Sequence, residues 1–307
     1  MKIVFLDSAT LGDTSLAPIA SLGELVTYPT STPEEALERV AEAEVLIINK
    51  VKVTETLLDA APRLRLVCEA ATGVNNIDLA AAERRGIPVR NVAGYSTDAV
   101  AQLSFTQILN LSVNPARFDA YVKDGSYSCS GLFTEVSSPY PELAGKILGI
   151  IGMGTIGQRV AQIAGAFGMQ VAYFSTSGTS HCQDYPSLSL NALLECSDVI
   201  SIHCPLNPRT AGLIGYEQLC RMKKTAIIVN MARGGIIEES ALARAISEER
   251  IAGAAVDVFT TEPLPADHPL LHTAHPERLR LTPHVAWASQ EALKRLVSGI
   301  ADNIRGF

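Results

Sequence analysis

Residues 146–157 read KILGIIGMGTIG and give the clearest indication of the fold. Their apolar half, residues 147–151, is typical of a buried parallel strand, and a GxGxxG pattern follows it at once and opens a helix. In this context the first glycine makes the tight turn, the second lets a pyrophosphate approach the backbone, and the third packs helix on strand. Amides at the helix N-terminus then hold the phosphates. The stretch predicts a dinucleotide-binding turn built on Gly152, Gly154 and Gly157.

Strand and helix patterns alternate on both sides of this turn. Upstream, short β-branched runs alternate with helical stretches and predict an open parallel sheet for residues 1 to about 95. Two helices follow, and then an irregular arm, residues 125–141, rich in Ser, Gly, Pro and aromatic residues. The alternation restarts at Gly145. The restart indicates that one α/β domain is inserted into another or follows it.

Composition limits the classes of protein to which the chain can belong. It has 307 residues, of which 47% are hydrophobic and 19% charged, so a disordered tail or a coiled coil is excluded. The length suggests two domains. A formal net charge of -7 argues against nucleic acid or an anionic membrane as the main partner. Small anionic substrates remain compatible, because they need only a locally positive pocket.

Cysteine usage predicts neither a metal site nor a disulfide framework. The six cysteines are scattered, without CxxC or HxxxH spacing. The longest uncharged run, residues 160–183, contains glutamines and a Ser/Thr cluster, so it does not predict a membrane span. The first residues lack the apolar stretch of a signal peptide and are typical of a β-strand. We therefore expect a cytoplasmic protein that has no metal and does not bind membranes.

Ser175 stands where a choice between nicotinamide dinucleotides is usually made. In such folds an acidic residue after the second strand binds the ribose hydroxyls. Here the strand at residues 170–174 is followed by Ser175, Thr176 and Ser177, with no carboxylate and no adjacent Lys or Arg. His181 lies further along. We therefore expect NAD as the cofactor with weak selectivity, and NADP as a second usable one.

Three ionisable residues follow the last strands of the second pattern. Arg233 lies just past one strand, Glu262 past the next, and His284 past the last. Because the carboxyl ends of parallel strands line the ligand crevice of a doubly wound sheet, these side chains can converge. Each one alone has an ordinary structural explanation. Together, after a dinucleotide turn, they predict a hydride-transfer site, with a guanidinium for an anion, a histidine as acid–base and a glutamate to orient it.

Seven motifs run in order over nearly the whole chain and resemble those of one family. The chain resembles the D-2-hydroxyacid dehydrogenase family, and most of all its glycerate dehydrogenase (hydroxypyruvate reductase) branch. The motifs are ATGVNNID (residues 71–78), GYSTDAVAQ (94–102), GMGTIG (152–157), HCPL (203–206), NMARGG (230–235), DVFTTEP (257–263) and PHVAWA (283–288).

The resemblance implies a fold and a domain organisation. It implies two doubly wound parallel-sheet domains, in which a Rossmann cofactor domain, residues 98–286, is inserted into a flavodoxin-like substrate domain, residues 1–97 and 287–307. It also implies an active site in the cleft between the domains. Family members are usually homodimers joined through their cofactor domains, a role that would suit the arm.

The resemblance also assigns roles to residues. It makes Arg233 the ligand of the substrate carboxylate and carbonyl, Glu262 the partner of the imidazole, and His284 the proton donor. Backbone amides of Thr72, Gly73 and Val74 and the side chains of Asn49 and Lys50 would contact substrate. The positions that match cofactor contacts are Thr97, Thr155, Ile156, Cys204, Thr210, Ala232 and Asp257, with Ser175 in place of the frequent acid.

The implied reaction is hydride transfer between a nicotinamide cofactor and a small D-2-hydroxy acid or 2-oxo acid. The branch indicates hydroxypyruvate and glycerate as the substrate pair, and the D stereochemistry rests on the resemblance alone. Alternatives within enzymes are a D-lactate-type or broad 2-oxo acid reductase, and a formate or phosphoglycerate dehydrogenase. An alternative of another class is a dinucleotide-sensing corepressor or scaffold on the same fold.

Overall fold

The computed structural model describes residues 1–179 and 182–307, and it divides the chain into two compact units. Unit 1 comprises residues 1–96 and 287–307, and unit 2 comprises residues 97–286. The first boundary, after residue 96, falls one residue before the boundary expected from the sequence. Each unit contains one sheet in which every pair of neighbouring strands is parallel. The predicted fold class, two doubly wound parallel α/β sheets, is confirmed.

Unit 1 has a five-stranded sheet in the order β2-β1-β3-β4-β5, the flavodoxin-like order. Its strands are β1 (Lys2–Phe5), β2 (Glu24–Thr27), β3 (Val45–Ile48), β4 (Leu66–Glu69) and β5 (Val89–Arg90). Its first helices are α1 (Ala17–Ala20), α2 (Pro33–Arg39), α3 (Glu55–Asp59) and α4 (Leu79–Arg84).

A side-chain cap explains where helix α2 of unit 1 begins. At α2 the Glu35 N–H donates to Thr32 Oγ1 and the Thr32 N–H donates to Glu35 Oε2, at 3.2 and 2.9 Å. This reciprocal capping box, with Pro33 at the first helical position, can be read directly from the sequence. Strand β2 cannot, because it is a half-buried edge strand without a continuous apolar run.

Unit 2 has a six-stranded sheet in the order β11-β10-β9-β8-β6-β7. The strands are β6 (Ile147–Ile151), β7 (Gln170–Phe174), β8 (Val199–Ile202), β9 (Ile227–Asn230), β10 (Gly253–Val256) and β11 (Leu279–Leu281). A single parallel bridge between Tyr173 and Ser187 adds a short extended segment outside β7. With that segment the strand order becomes the 3-2-1-4-5-6 order of a Rossmann fold, extended by one strand.

Helices cover both faces of this second sheet. They are α5 (Thr97–Val113), α6 (Pro115–Lys123), α7 (Ser126–Cys129), α8 (Thr155–Ala166), α9 (Leu190–Cys196), α10 (Tyr216–Arg221) and α11 (Glu239–Ser247), and the terminal helix α12 (Gln290–Arg305) belongs to unit 1. Helices α9, α10 and α11 pack on one face of the sheet and α5 and α8 on the other. The arm, expected to be a loop, contains the short helix α7.

The core of unit 2 follows from strands that are buried on both faces. In β8, Ile200 and Ile202 face one helix layer, while Val199 faces the other. Each fully buried aliphatic side chain contributes roughly 1.5–3 kcal/mol relative to exposure, so both layers are held firmly. Within residues 1–179 and 182–307, no helix is long and apolar enough to cross a membrane. The same residues contain no cluster of His, Cys, Asp and Glu suited to a metal ion.

Candidate active site

The glycine turn after β6 is shaped by two close approaches and one open position. A Cβ on Gly152, whose φ is +97°, would lie 2.7 Å from the backbone nitrogen of Cys204. A Cβ on Gly157 would lie 2.4 Å from the carbonyl oxygen of Gly152. At Gly154 nothing lies within 4 Å of the same position. Gly152 and Gly157 therefore allow tight packing, while Gly154 leaves space beside the backbone.

This geometry fits a dinucleotide pyrophosphate. Helix α8 begins at Thr155, and its N-cap residue, Gly154, provides no side-chain cap for the first N–H groups. Uncapped N–H groups at the start of a helix bind anions, and the space beside Gly154 accommodates one. Gly152, Gly154, Thr155, Ile156 and Gly157 are the residues that would hold the pyrophosphate.

The turn after β8 is fixed by buried polar contacts. Thr210 is fully buried; its hydroxyl donates to the Pro205 carbonyl at 2.7 Å and accepts from the Asn207 N–H at 2.8 Å. Cys204 is buried too, and burial raises the pKa of its thiol to about 11, so the thiol stays neutral. These two predicted cofactor positions therefore shape the turn, and neither side chain is directed into solvent.

The segment after β7 corrects one sequence-based expectation. Sequence proximity indicated no cation near Ser175, but the guanidinium of Arg209 reaches this segment and donates from Nη1 to the Ser177 carbonyl at 3.2 Å. Thirty-two positions separate the two residues. Local sequence therefore could not reveal the contact, and the only signal was the position of Arg209 in the turn after β8. His181 lies outside the described residues.

Arg233 lies on a loop that Asn230 holds in place. The Asn230 side chain accepts from the Ala232 N–H at 3.1 Å and donates to the Arg233 carbonyl at 3.0 Å. A Cβ on Gly234 would lie 2.0 Å from the carbonyl carbon of Phe259, so only glycine lets this loop pack on the next one. Among the residues that the structure describes, no carboxylate forms an ion pair with Arg233. Its half-buried charge is therefore available to an anionic ligand.

Glu262 and His284 are in direct contact. Nδ1 of His284 lies 2.7 Å from Oε2 of Glu262, and the other carboxylate oxygen, Oε1, accepts from the Phe259 N–H at 2.9 Å. Both oxygens of the carboxylate are thus engaged, which fixes its orientation. Because Nδ1 is committed to Glu262, any proton that the imidazole transfers to a ligand must come from Nε2.

Asp257 holds the loop that carries His284. Its fully buried carboxylate accepts from the Val285 N–H at 3.0 Å, the Ala286 N–H at 2.9 Å and the Thr282 hydroxyl at 2.5 Å. The His284 backbone, at a φ of +53°, donates to the Asp257 carbonyl at 2.8 Å. Burial raises the pKa of Asp257. Asp257, a predicted cofactor contact, thus also positions His284 in a left-handed conformation that is costly for a non-glycine residue.

The loops with these three side chains follow adjacent strands, because β9, β10 and β11 are neighbours in the sheet. Arg233, Glu262 and His284 therefore follow neighbouring strands at one edge of the sheet. The remaining predicted cofactor positions have ordinary places in unit 2. Thr97 begins α5, Ile156 is the second residue of α8, and Ala232 precedes Arg233.

Unit 1 positions Asn49 and Lys50 through a residue that sequence reasoning missed. The buried carboxylate of Asp7 accepts from the N–H groups of Asn49, Lys50 and Val51, at 2.9, 2.6 and 3.0 Å. Asn49 is buried, and its amide donates to the Thr10 hydroxyl at 3.2 Å. Asp7 follows β1, next to β3 at the point where the strand order reverses. The sequence signal for this role was an acidic residue directly after the first strand.

The loop with Thr72, Gly73 and Val74 follows β4 and is tied to its surroundings by side chains. The Asn91 amide donates to the Thr72 carbonyl at 2.5 Å. Asn76 donates to the Val51 carbonyl at 3.1 Å, which links this loop to the one that carries Lys50. The predicted substrate residues of unit 1 thus lie on two connected loops at one sheet edge.

A Rossmann unit with this glycine turn and a His–Glu pair beside an arginine defines a nicotinamide-dependent oxidoreductase. The family described as D-isomer specific 2-hydroxyacid dehydrogenase, NAD binding domain, matches residues 105–286. The chain is 38% identical over 307 residues to a glycerate dehydrogenase of Methylorubrum extorquens, covering 100% of this chain and 96% of the relative. The chain belongs to the D-isomer specific 2-hydroxyacid dehydrogenase family, and it is an NAD(P)-dependent enzyme of that family.

Other similar proteins agree on the fold and differ in the cofactor. A putative 2-hydroxyacid dehydrogenase of Haemophilus influenzae is 36% identical, covering 100% of this chain and 98% of the relative. A solved D-lactate dehydrogenase from Aquifex aeolicus, complexed with NAD and lactic acid, has a TM-score of 0.86 at 28% identity and covers 100% and 95% of the two chains. An acyclic imino acid reductase, Bsp5, solved with NADPH and D-Arg, has a TM-score of 0.88 at 28% identity, with 100% and 96% covered.

Proposed function

We propose that the enzyme interconverts hydroxypyruvate and D-glycerate, with glyoxylate as a poorer substrate. The observation that carries the proposal is the contact between His284 Nδ1 and Glu262 Oε2, at 2.7 Å, at the sheet edge that also holds Arg233. Relatives named glycerate dehydrogenase and hydroxypyruvate reductase, 38% and 34% identical to this chain, favour this substrate pair. In unit 1, the polar pair Asn49-Lys50 would suit a 3-hydroxyl group.

His284 acts as the acid in the direction of reduction. Glu262 holds Nδ1, and its charge stabilises the imidazolium, so the proton leaves from Nε2 for the carbonyl oxygen of the 2-oxo acid. Arg233 binds the substrate carboxylate through its planar fork and stabilises the developing alkoxide. When bound, the reduced nicotinamide supplies the hydride for the carbonyl carbon. In the reverse direction neutral His284 takes the proton from the hydroxyl.

The cofactor assignment is NAD, with NADP as a second usable cofactor. The residues proposed to contact it are Thr97, Gly152, Gly154, Thr155, Ile156, Gly157, Ser175, Cys204, Thr210, Ala232 and Asp257. Those proposed to contact substrate, apart from the three catalytic residues Arg233, Glu262 and His284, are Asn49, Lys50, Thr72, Gly73 and Val74. The open space beside Gly154 and the uncapped start of α8 support the pyrophosphate position.

The enzyme is also proposed to be a homodimer that associates through the arm. Leu132, Phe133, Val136 and Tyr140 are exposed large hydrophobic residues, and Phe133 is 91% exposed. Several exposed apolar side chains on one segment are typical of a protein interface. A second copy of the chain is the expected partner. Light scattering coupled to size exclusion should give twice the 32.7 kDa chain mass.

The test is a panel of 2-oxo acids followed by the absorbance of NADH and NADPH. Hydroxypyruvate should have a clearly higher kcat/KM than pyruvate, because a site that bonds a hydroxyl leaves buried polar groups unpaired when the hydroxyl is missing. Equal efficiencies would favour a D-lactate-type or broad 2-oxo acid reductase. Turnover of none of the acids, with cofactor binding intact, would favour a dinucleotide-sensing scaffold.

A further inference from the structure

We propose that Arg209 and the hydroxyl-bearing loop after β7, residues 175–179, bind the 2′-phosphate of NADPH. The proposal rests on the nicotinamide-dependent function given above, and it reverses the order of the two cofactors that was assigned there from the sequence. It makes Arg209 a specificity-determining residue and makes NADPH the more tightly bound dinucleotide.

The loop after β7 lies at the position that reads the ribose of a bound dinucleotide. In Rossmann folds the residue that follows the second strand binds the 2′-hydroxyl or, with a nearby arginine, accommodates a 2′-phosphate. Strand β7 is that second strand, and Ser175 is the residue that follows it. Because Ser175 carries no charge, it does not repel a phosphate.

Arg209 lies in the turn after β8 and brings a positive charge to this loop across the intervening strand β6. Its Nη1 donates to the Ser177 carbonyl at 3.2 Å, and its backbone N–H donates to Asn207 Oδ1 at 2.9 Å. The turn that carries it is fixed by the buried Thr210 hydroxyl. Hydrogen bonds therefore hold both the backbone and the guanidinium of Arg209, and they keep the guanidinium beside the loop.

No described carboxylate forms an ion pair with Arg209, although most arginines of this chain have one. The guanidinium is exposed and has five N–H donors, one of which is used by the neutral Ser177 carbonyl. Its charge is thus not neutralised by the described part of the chain. A planar guanidinium with unused donors suits an exposed phosphate group.

Hydroxyl groups line the same loop. Ser175 Oγ and Ser177 Oγ lie 3.0 Å apart, and both donate to the Thr179 carbonyl, at 2.6 and 3.1 Å. Gly178, at a φ of +82°, allows the tight turn that brings them together. The guanidinium thus lies beside two hydroxyls, which can rotate their O–H groups from the Thr179 carbonyl towards a phosphate oxygen.

The charge of the 2′-phosphate decides the selectivity. A phosphate monoester carries a charge between about −1.5 and −2 at pH 7. Arg209 therefore makes a charge-assisted contact with NADPH, whereas the 2′-hydroxyl of NADH receives a weaker neutral contact. We expect NADPH to bind about tenfold more tightly than NADH, a ratio equivalent to about 1.4 kcal/mol.

The experiment measures binding by calorimetry, separately from turnover. The probes are adenosine 2′,5′-bisphosphate and 5′-AMP, which differ only in the 2′-phosphate, together with NADPH and NADH. The proteins are the wild type, Arg209→Gln, Arg209→Lys and the control Arg63→Gln, which removes an exposed charge from unit 1. Arg209→Gln should lower the affinity ratio for each phosphorylated and unphosphorylated pair about tenfold. Arg209→Lys should keep part of the wild-type affinity ratio, and Arg63→Gln should keep the full wild-type ratio.

Two results would overturn the proposal. One is equal wild-type affinity for adenosine 2′,5′-bisphosphate and 5′-AMP, and the other is an Arg209→Gln variant that keeps the wild-type ratio. Raising the ionic strength should lower the wild-type ratio, because salt screens an exposed charge contact. If both dinucleotides bind equally and 2-oxo acids are reduced, this proposal alone fails. If neither dinucleotide binds, the proposed function fails with it.

Discussion

Unit 2 contains two His–Glu pairs with nearly the same contact distance and different surroundings. His284 Nδ1 lies 2.7 Å from Glu262, and His268 Nε2 lies 2.9 Å from Glu239. In the first pair the side chains are 20% and 30% exposed, and in the second they are 11% and 13% exposed. Distance alone therefore does not distinguish the catalytic candidate from a structural pair.

The internal partners of the second pair show its structural role. His268 uses both ring nitrogens within the protein, because Nδ1 accepts from the Leu270 N–H at 3.3 Å while Nε2 faces Glu239. Glu239 in turn accepts from the Thr260 N–H at 2.6 Å. This pair braces the residue next to Phe259, whose own N–H orients Glu262. The His268–Glu239 pair thus supports the loop that orients Glu262.

The largest expected effect is on His284. His284→Ala should lower kcat by roughly 100-fold or more, because general acid catalysis typically supplies that much. Cofactor affinity, measured by calorimetry, should survive. His268→Ala serves as the matched control and should lower kcat less than tenfold. Near-normal turnover by His284→Ala would remove this residue from the mechanism.

Glu262→Gln should have the next largest effect, a loss of kcat of roughly tenfold to a hundredfold. The amide can still accept from the Phe259 N–H, but it no longer provides the negative charge that stabilises the imidazolium. The pH dependence of kcat should therefore change as well as its value. Glu239→Gln is the control from the second pair. An unchanged pH profile in Glu262→Gln would argue against an electrostatic role for this carboxylate.

His268→Ala should act on stability instead of chemistry. It leaves the largely buried Glu239 carboxylate without its imidazole partner, which should lower the free energy of unfolding by about 1–3 kcal/mol. Urea denaturation of this variant and of His284→Ala, followed by circular dichroism, measures the difference. Equal stability losses in the two variants would contradict the division of roles.

His203 is a third histidine and has the smallest expected effect, and no carboxylate of the described residues forms an ion pair with it. Its Nε2 lies 2.8 Å from the Ser201 hydroxyl, and burial lowers its pKa to about 3. Between pH 6.5 and 3 the unfolded chain therefore binds a proton at this residue that the folded chain does not, so stability falls as the pH falls. From pH 7 to 5.5 the loss should be about 1 kcal/mol. Denaturation of His203→Gln at both pH values should show a smaller difference.

Local sequence predicted the elements whose formation depends on neighbours in the chain. The strand and glycine turn at residues 147–157 are specified by an apolar run and by positions where a Cβ would collide. The capping box at Thr32 and Glu35 is likewise a contact between residues three apart. Strand β2 escaped prediction because a half-buried edge strand leaves only a weak pattern.

The amino-acid sequence shows which residues follow each predicted strand, and a parallel sheet brings the carboxyl ends of its strands to one edge. Arg233, Glu262 and His284 were identified in that way. The tertiary structure was needed to show that His268 pairs with Glu239, and that Arg209 reaches the loop after β7. It also decided that Asp7 caps three amides more than 40 positions away. Such contacts depend on how loops pack across the sheet, and no local pattern encodes that packing.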